Sequence, residues 1–308
     1  MQKVLITGGT GLIGKRLTSH LAGKGYHVII LSRSADERNN NSSVSYARWD
    51  IKTRSIDIKA VEAADAVIHL AGAGLADKRW TESYKKEILD SRTGSLELIY
   101  NTIRQYPSNI KTVVSTSAIG WYGEDHQPGR PFTENDEHAR DFLAQVCYEW
   151  ERTADKAASY NIRVCKLRNG IVLSNDGGAL AELKKPIRFG VAAILGSGKQ
   201  MTSWIHIDDL CRMYIHALEN QAMQGVYNAV TAMPVSNKEL SLGLATALKG
   251  KFFIPVHIPA FILNMVKGGG AMEALKSITV GNKKITDTGF TFQYPSLSTA
   301  IKNLIAVK

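Results

Sequence analysis

Three glycines, Gly8, Gly11 and Gly14, recur at intervals of three between an apolar run, Lys3-Val4-Leu5-Ile6-Thr7, and a helical pattern from Lys15 to Ala22. This spacing suits the binding of a pyrophosphate. The first glycine can take the turn, the second lets a phosphate approach the backbone, and the third lets helix and strand close together. Around them Thr10, Leu12 and Ile13 open the helix, whose N-terminus offers unpaired N–H groups and the positive end of its dipole. A second apolar run, Val28 to Leu31, completes a βαβ unit and ends in Ser32-Arg33. An NAD-selective site usually carries an acidic residue there for the ribose hydroxyls, whereas a hydroxyl and a cation suit a 2′-phosphate, so the expected cofactor is NADP.

Further candidates fall at the ends of later apolar runs. Asp50 closes a strand expected over Tyr46 to Ile51, where side chains commonly flank an adenine. Ala66 to Leu70 reads as a buried strand followed by Ala71-Gly72-Ala73-Gly74. Leu70, Ala71, Gly72 and Ala73 would let the backbone lie against the cofactor at the carboxyl end of an open sheet. His69 reads as a hydrogen-bonded strand residue rather than a catalyst. Arg92, on a helix expected over Ser83 to Tyr106, could reach a phosphate. The strand Lys111 to Ala118 ends in Ser115-Thr116-Ser117, hydroxyls placed to polarise a carbonyl or alkoxide beside a nicotinamide.

The elements that must position these groups alternate as strand and helix. Beyond those named, Phe142 to Tyr160 reads as a helix, Arg163 to Arg168 and Gly225 to Ala229 as strands, and Ser236 to Leu248 as a helix. Trp204 to Leu210 reads as a strand feeding a helix, with Asp208 or Asp209 as its N-cap. Near the end lie an apolar helix expected over Ala260 to Val266, a glycine joint at Gly268-Gly269-Gly270, and short helical segments around Phe290 to Pro295. The expected fold is α/β: a Rossmann-type, doubly wound parallel sheet over residues 1–232, with 176–200 contributing to a cap, and a smaller C-terminal domain over 233–308.

A chain of 308 residues with 44% hydrophobic and 21% charged residues reads as a globular protein with a sizeable core. No apolar run reaches the length of a membrane span and no signal-peptide pattern opens the chain, so no membrane partner is expected and the expected location is the cytoplasm. Cys147, Cys165 and Cys211 show no metal-ligand spacing, which fits free thiols in a reducing compartment and no metal site. The net charge of +10 is spread over dispersed Lys and Arg residues without an aromatic stripe, which disfavours nucleic acid and favours small anionic ligands. Monomer and homodimer are both compatible with the sequence.

Taken together, Thr7 to Gly14, His69-Leu70-Ala71-Gly72, Ser115-Thr116-Ser117 with Tyr122-Gly123, and Trp204 to Asp209 resemble the extended short-chain dehydrogenase/reductases. Ala76 to Thr81, Asp90-Ser91-Arg92, Ser117 to Gly123, Leu167 to Leu173, Tyr227-Asn228-Ala229 and Gly289 to Pro295 resemble an atypical branch called epimerase family proteins, with a C-terminal domain of unknown function. The resemblance implies an NADP site to which Arg168 and Gly170 also belong, a cap over a substrate cleft, and Ser117 as the catalytic serine. It also implies a Tyr and a Lys four residues apart on one helix, and here the sequence departs. Tyr148 is followed by Arg152, and the register set by Glu151 puts Leu143 and Cys147 at the two positions. Tyr122 is the candidate replacement proton donor. The resulting reading is an NADP-dependent oxidoreductase passing a hydride to or from a small anionic substrate. A nucleotide-sugar epimerase and a non-catalytic NADP-sensing protein are the alternatives.

Overall fold

The computed structural model describes residues 2–35, 38, 40–127, 129–262, 270 and 273–306. The first part of the chain supplies β1 (Lys3–Thr7), α1 (Leu12–Gly23), β2 (His27–Ser32), β3 (Val44–Asp50), β4 (Ser55–Ile56), α2 (Ile58–Ala63), β5 (Ala66–His69), α3 (Glu82–Gln105) and β6 (Thr112–Ala118). The middle supplies α4 (Phe142–Asp155), β7 (Arg163–Asn169), β8 (Ile171–Leu173), α5 (Gly178–Arg188), β9 (Val191–Leu195), β10 (Met201–Thr202), β11 (Trp204–His206) and α6 (Ile207–Glu219). Then come β12 (Gly225–Ala229), β13 (Val235–Ser236), α7 (Asn237–Lys249), β14 (Ile254–Ile258), α8 (Lys283–Thr286) and α9 (Leu297–Ala306).

Eight strands form the central sheet in the order β12-β7-β6-β5-β1-β2-β3-β4, parallel except where the short β4 returns antiparallel along β3. The near-continuous apolar runs of β1, β2 and β5 are those of strands covered on both faces. Their side chains alternate between two cores: Val4, Ile6, Ile30 and Ile68 pack with Leu17, Trp204 and Tyr214 on one face. Leu5, Ile29, Leu31 and Val67 pack with Leu96, Ile99 and Trp150 on the other. Strand order reverses between β1 and β5, so a crevice must open at their carboxyl ends. The doubly wound α/β architecture is the one expected.

Residues of the C-terminal part contribute to the first core: Leu240, Leu244, Phe290 and Ile301 belong to the same buried cluster as Val4 and Ile6 of β1. In the 176–200 stretch the chain forms α5 and β9, and β9 pairs in parallel with β14. Ser236 caps α7 through a reciprocal pair with Glu239. The N-cap of α6 differs from expectation. His206 takes that position, its Nδ1 accepting the Asp208 N–H at 3.1 Å, because both carboxylates have distant partners. Asp208 binds the Arg16 guanidinium and His20 of α1, and buried Asp209 accepts the Gln293 and Tyr294 N–H groups at 2.8 Å each. Of the apolar helix expected over Ala260 to Val266, residues 263–266 lie outside the described residues, as do Gly268 and Gly269 of the glycine joint.

His69 is wholly enclosed at the end of β5, a strand residue with its polar atoms satisfied. Trp150 Nε1–H donates to its Nδ1 at 3.2 Å, leaving Nε2 to donate to Ser95 Oγ at 2.6 Å. Burial, with the Arg92 charge nearby, lowers its pKa from 6.5 to about 3. The unfolded chain therefore binds a proton that the folded chain refuses, and His69 withdraws stability as pH falls from about 6.5 toward 3. Urea unfolding across that window is expected to show a steep loss in the parent chain and a shallower one in His69→Gln. Equal slopes would contradict the assignment.

Candidate active site

A cleft of about 940 Å³ opens at the crevice between β1 and β5. Its floor is the β1–α1 loop. Gly8 holds φ +69°, and a Cβ there would lie 2.8 Å from the Leu70 carbonyl carbon. A Cβ on Gly14 would overlap the Gly8 carbonyl oxygen, so helix and loop meet backbone to backbone. Gly11 caps α1 without any side-chain hydrogen bond, which leaves the N–H groups of the first turn facing the cleft end of the helix. Thr7 Oγ1 accepts the Leu70 and Ala71 N–H groups at 3.1 Å each and ties the two strand ends together.

The walls separate by charge. At and just beyond the ends of β2 and β3 stand Ser32, Arg33, Ser34, Arg38, Asp50 and Lys52. Asp50 Oδ1 already accepts the Lys52 N–H at 2.8 Å. On the opposite side Glu87 and Asp90 are paired with Lys78 and Lys86. Behind the small residues Ala71 to Ala73 lies the buried guanidinium of Arg92. It stacks 5.0 Å from the Trp150 ring and donates to the Ile88 carbonyl at 2.8 Å and the Ala73 carbonyl at 3.2 Å. Gly72 lies close in front of it: a Cβ there would stand 3.0 Å from its Cζ, so a larger residue would press on the guanidinium.

Beyond the cleft, β6, β7 and α4 enclose a hydrogen-bonded network. Glu151 accepts from Arg168 at 2.7 and 3.0 Å and from Ser117 Oγ at 2.6 Å. Arg168 also donates to the Tyr122 hydroxyl at 2.9 Å, and that hydroxyl donates to Asn228 Oδ1 at 2.6 Å. All five side chains are buried. Burial pushes the Tyr122 phenol up to about 12, against the opposing charge of Arg168. Burial alone would lower the Arg168 pKa, but Glu151 more than reverses that and it is raised. The Tyr122 ring also lines a second cavity of about 420 Å³, with Glu124, His126, Phe132, Asp136, Glu137 and His138.

The structure thus brings together Gly8, Thr10, Gly11, Ser32, Arg33, Asp50, Leu70, Ala71, Gly72 and Ala73 on the cleft walls. Leu12, Ile13 and Gly14 form the adjoining helix start, and Arg92 stands behind the wall. The other expected residues lie elsewhere. Ser117, Tyr122 and Arg168 belong to the buried network, and Ser115 is buried at 3.5 Å from His69 Nδ1. Gly170 sits where a Cβ would meet the Ser203 carbonyl and Val230, because β7 passes directly into β8 there. Arg38 and Lys52 were not among the expected residues. Their signal was weak: two cations among many in polar loops, with no pattern tying them to Arg33. Glu151 and Asn228 sit 34 and 106 residues from their partners Ser117 and Tyr122, which no local pattern reveals.

A crevice at a strand-order switch, floored by a glycine-rich strand-to-helix turn, defines a dinucleotide-binding α/β protein. The profile of the NAD-dependent epimerase/dehydratase family matches residues 4–229, and a domain of unknown function matches residues 258–304. An epimerase family protein of Staphylococcus haemolyticus is 35% identical over 306 residues, covering 99% of both chains. Among solved structures, a human epimerase family protein with NADPH is 28% identical with a TM-score of 0.85, covering all of both chains. A nucleoside-diphosphate sugar epimerase of Corynebacterium glutamicum is 29% identical with a TM-score of 0.77, and the match covers 99% of this chain and 58% of that one. The chain belongs to the NAD-dependent epimerase/dehydratase family, among its epimerase family proteins.

The expected departure on α4 is visible in space. A Cβ on Gly120 would lie 3.3 Å from Leu143 Cβ and 3.9 Å from Cys147 Sγ, so an apolar side chain and a thiol face the turn after β6. Burial, with the Glu151 charge adding, holds that thiol near 12, too high to serve as a base. What α4 contributes instead is Glu151. Its removal in Glu151→Ala strands a buried guanidinium and is expected to cost about 3–5 kcal/mol in urea unfolding. A combined Glu151→Leu, Arg168→Met exchange is expected to recover part of the loss. A single variant within about 0.5 kcal/mol of the parent would contradict this account.

Proposed function

We propose that the cleft binds NADP and that the chain transfers a hydride between its nicotinamide and a small substrate. The observation that carries the cofactor choice is the end of β2, where Ser32 and Arg33 stand in place of a carboxylate, joined by Arg38 and Lys52 on the same wall. The cleft fits the group: a Cβ would fill the cradle at Gly8, and the first turn of α1 leaves donors for a pyrophosphate. That the human relative was solved with NADPH supports the same choice. The nicotinamide supplies the hydride when bound. The chain's part is to hold it: Ala71 to Ala73 line its path, and Arg92 braces that wall through the Ala73 carbonyl.

Tyr122 is the proton donor in this reading, neutral below about 12, with its ring on the second cavity. Ser117 is the hydroxyl that supports it through Glu151 and Arg168. The net charge of +10 favours an anionic substrate approaching the protein, while Glu124, Asp136 and Glu137 in that cavity suit hydroxyl groups. The substrate is a small molecule rather than a nucleic acid, since the cations are dispersed. Three buried free thiols support a reducing compartment, the cytoplasm; among the described residues no helix is long and apolar enough to cross a membrane.

A second reading, an NADP-sensing protein without turnover, is favoured by the closed hydrogen bonds of Ser117 and Tyr122 and by Leu143 and Cys147 on α4. The sugar-epimerase reading rests on the likeness to the nucleoside-diphosphate sugar epimerase and lacks the tyrosine and lysine expected on α4. Anaerobic mixing of the protein with NADPH deuterated at C4, against a panel of carbonyl compounds including nucleotide sugars, separates them. Hydride transfer predicts deuterium in a reduced product and a loss of rate of about 100-fold in Tyr122→Phe. Bound but unoxidised cofactor across the panel, with no nucleotide sugar epimerised, would leave the sensor reading in its place.

A further inference from the structure

The two-stranded sheet of β9 and β14 presents an outer face without a polar side chain. In register, Val191, Ala193 and Leu195 stand beside Ile254, Val256 and Ile258 on that face, while Ala192 and Ile194 turn inward and are buried. An ordinary half-covered sheet alternates apolar inside with polar outside, and here the outer side is apolar, with His257, the one polar side chain of the two strands, on the opposite face. Just before the two strands, Phe189 and Phe252 are each 87% exposed, and Ile254 is 68% exposed. Phe261 and Ile262, just after β14, are exposed as well. With roughly 200 Å² on a fully exposed aromatic side chain, these residues with Val256 offer about 700 Å² of apolar surface, close to the ~800 Å² that each partner of a stable complex buries.

We propose that this face is the two-fold interface of a homodimer. Three features select a second copy of this chain. First, the open edge of β14 is guarded. Ile254 N–H and the Ile258 carbonyl are engaged with the β9 side, so Pro255 and His257 face the free edge, and proline has no N–H to offer an added strand. Association therefore proceeds through the face, which closes, rather than through the edge. Second, the face is graded in size: the phenylalanines lie at one end, with Ala193 and Val256 further along. Two copies packed with strands antiparallel seat the rings of each on the small residues of the other, the self-complementarity that an isologous contact requires.

Third, charge selects the same arrangement. No Asp or Glu occurs in residues 183–207 or 240–272, and Arg188, Lys249 and Lys251 gather at the phenylalanine end. In antiparallel packing the two cationic clusters lie at opposite ends of strands about 17 Å long, beyond the ~8 Å screening length at physiological salt. Parallel packing would bring the clusters together.

Sedimentation equilibrium of the full chain from about 100 µM downward tests the proposal, beside a Phe189→Asp, Phe252→Asp variant whose fold is checked by circular dichroism. The expected result is a dimer in the parent and at least about tenfold weaker association in the folded variant. Because the three native cysteines are buried, Val191→Cys, midway between Phe189 and Ala193 and so beside the two-fold axis, provides an independent reading that does not depend on the double variant folding: a short thiol-specific cross-linker should join the two copies. A monomeric parent overturns the proposal, as does a dimer that the folded double variant leaves intact or in which Val191→Cys fails to cross-link. A parent that stays monomeric but sediments with phosphatidylglycerol vesicles would assign the face to a bilayer and likewise overturn it.

Discussion

The architecture of the site depends on one close approach. Helix α1 meets the β1–α1 loop at Gly14, where any side chain would overlap the Gly8 carbonyl, and Gly8 in turn lies against the Leu70 backbone. These contacts bring three backbones, from β1, α1 and the end of β5, within van der Waals range. The crevice at the strand-order switch therefore has a floor of N–H groups rather than side chains. Thr7 holds the same junction from the side by accepting two N–H groups from the β5 end. The cations Arg33, Arg38 and Lys52, at and beyond the ends of β2 and β3, line the same cleft and are not among these close backbone contacts.

A second constraint governs the far side of the sheet. Burying Arg168 requires Glu151, and once the pair is formed its remaining donors and acceptors organise Ser117, Tyr122 and Asn228 around it. One ion pair thus links α4, β6, β7 and β12. The position from which a tyrosine and a lysine would act in the wider superfamily holds Leu143 and Cys147, while the charge on this helix points into the network. The family membership and the expected helix pair are separable for this reason: the glycine floor of the cleft is present, while Leu143 and Cys147 stand where a tyrosine and a lysine were expected.

The cofactor half was legible in the sequence because its signals are local. Glycine spacing, a strand end without a carboxylate and a run of small residues after β5 each state a backbone requirement within a few residues. The network was not legible, since Ser117 and Arg168 appear as a hydroxyl and a cation at strand ends, and nothing nearby says that Glu151 claims both. The same limit explains α6. Two aspartates after a strand resemble a cap, yet Asp208 and Asp209 are drawn to Arg16 of α1 and to the backbone at Gln293 and Tyr294, which leaves His206 to cap. The pair β9 and β14 escaped notice because alanine, glycine and Pro255 blur the strand pattern, and because the outer face is apolar where polar residues would have marked an alternation.

The most direct test of the account is calorimetric titration of cofactor-stripped protein with NADPH and with NADH, repeated on Arg33→Ala. The wall formed by Ser32, Arg33, Arg38 and Lys52 predicts NADPH binding tighter than NADH by about 100-fold. Loss of one charged hydrogen bond to the 2′-phosphate in the variant should reduce the preference by about tenfold or more while leaving NADH affinity unchanged. Equal affinity for the two nucleotides would contradict the assignment of that wall, and binding of neither would contradict the cleft as a dinucleotide site altogether.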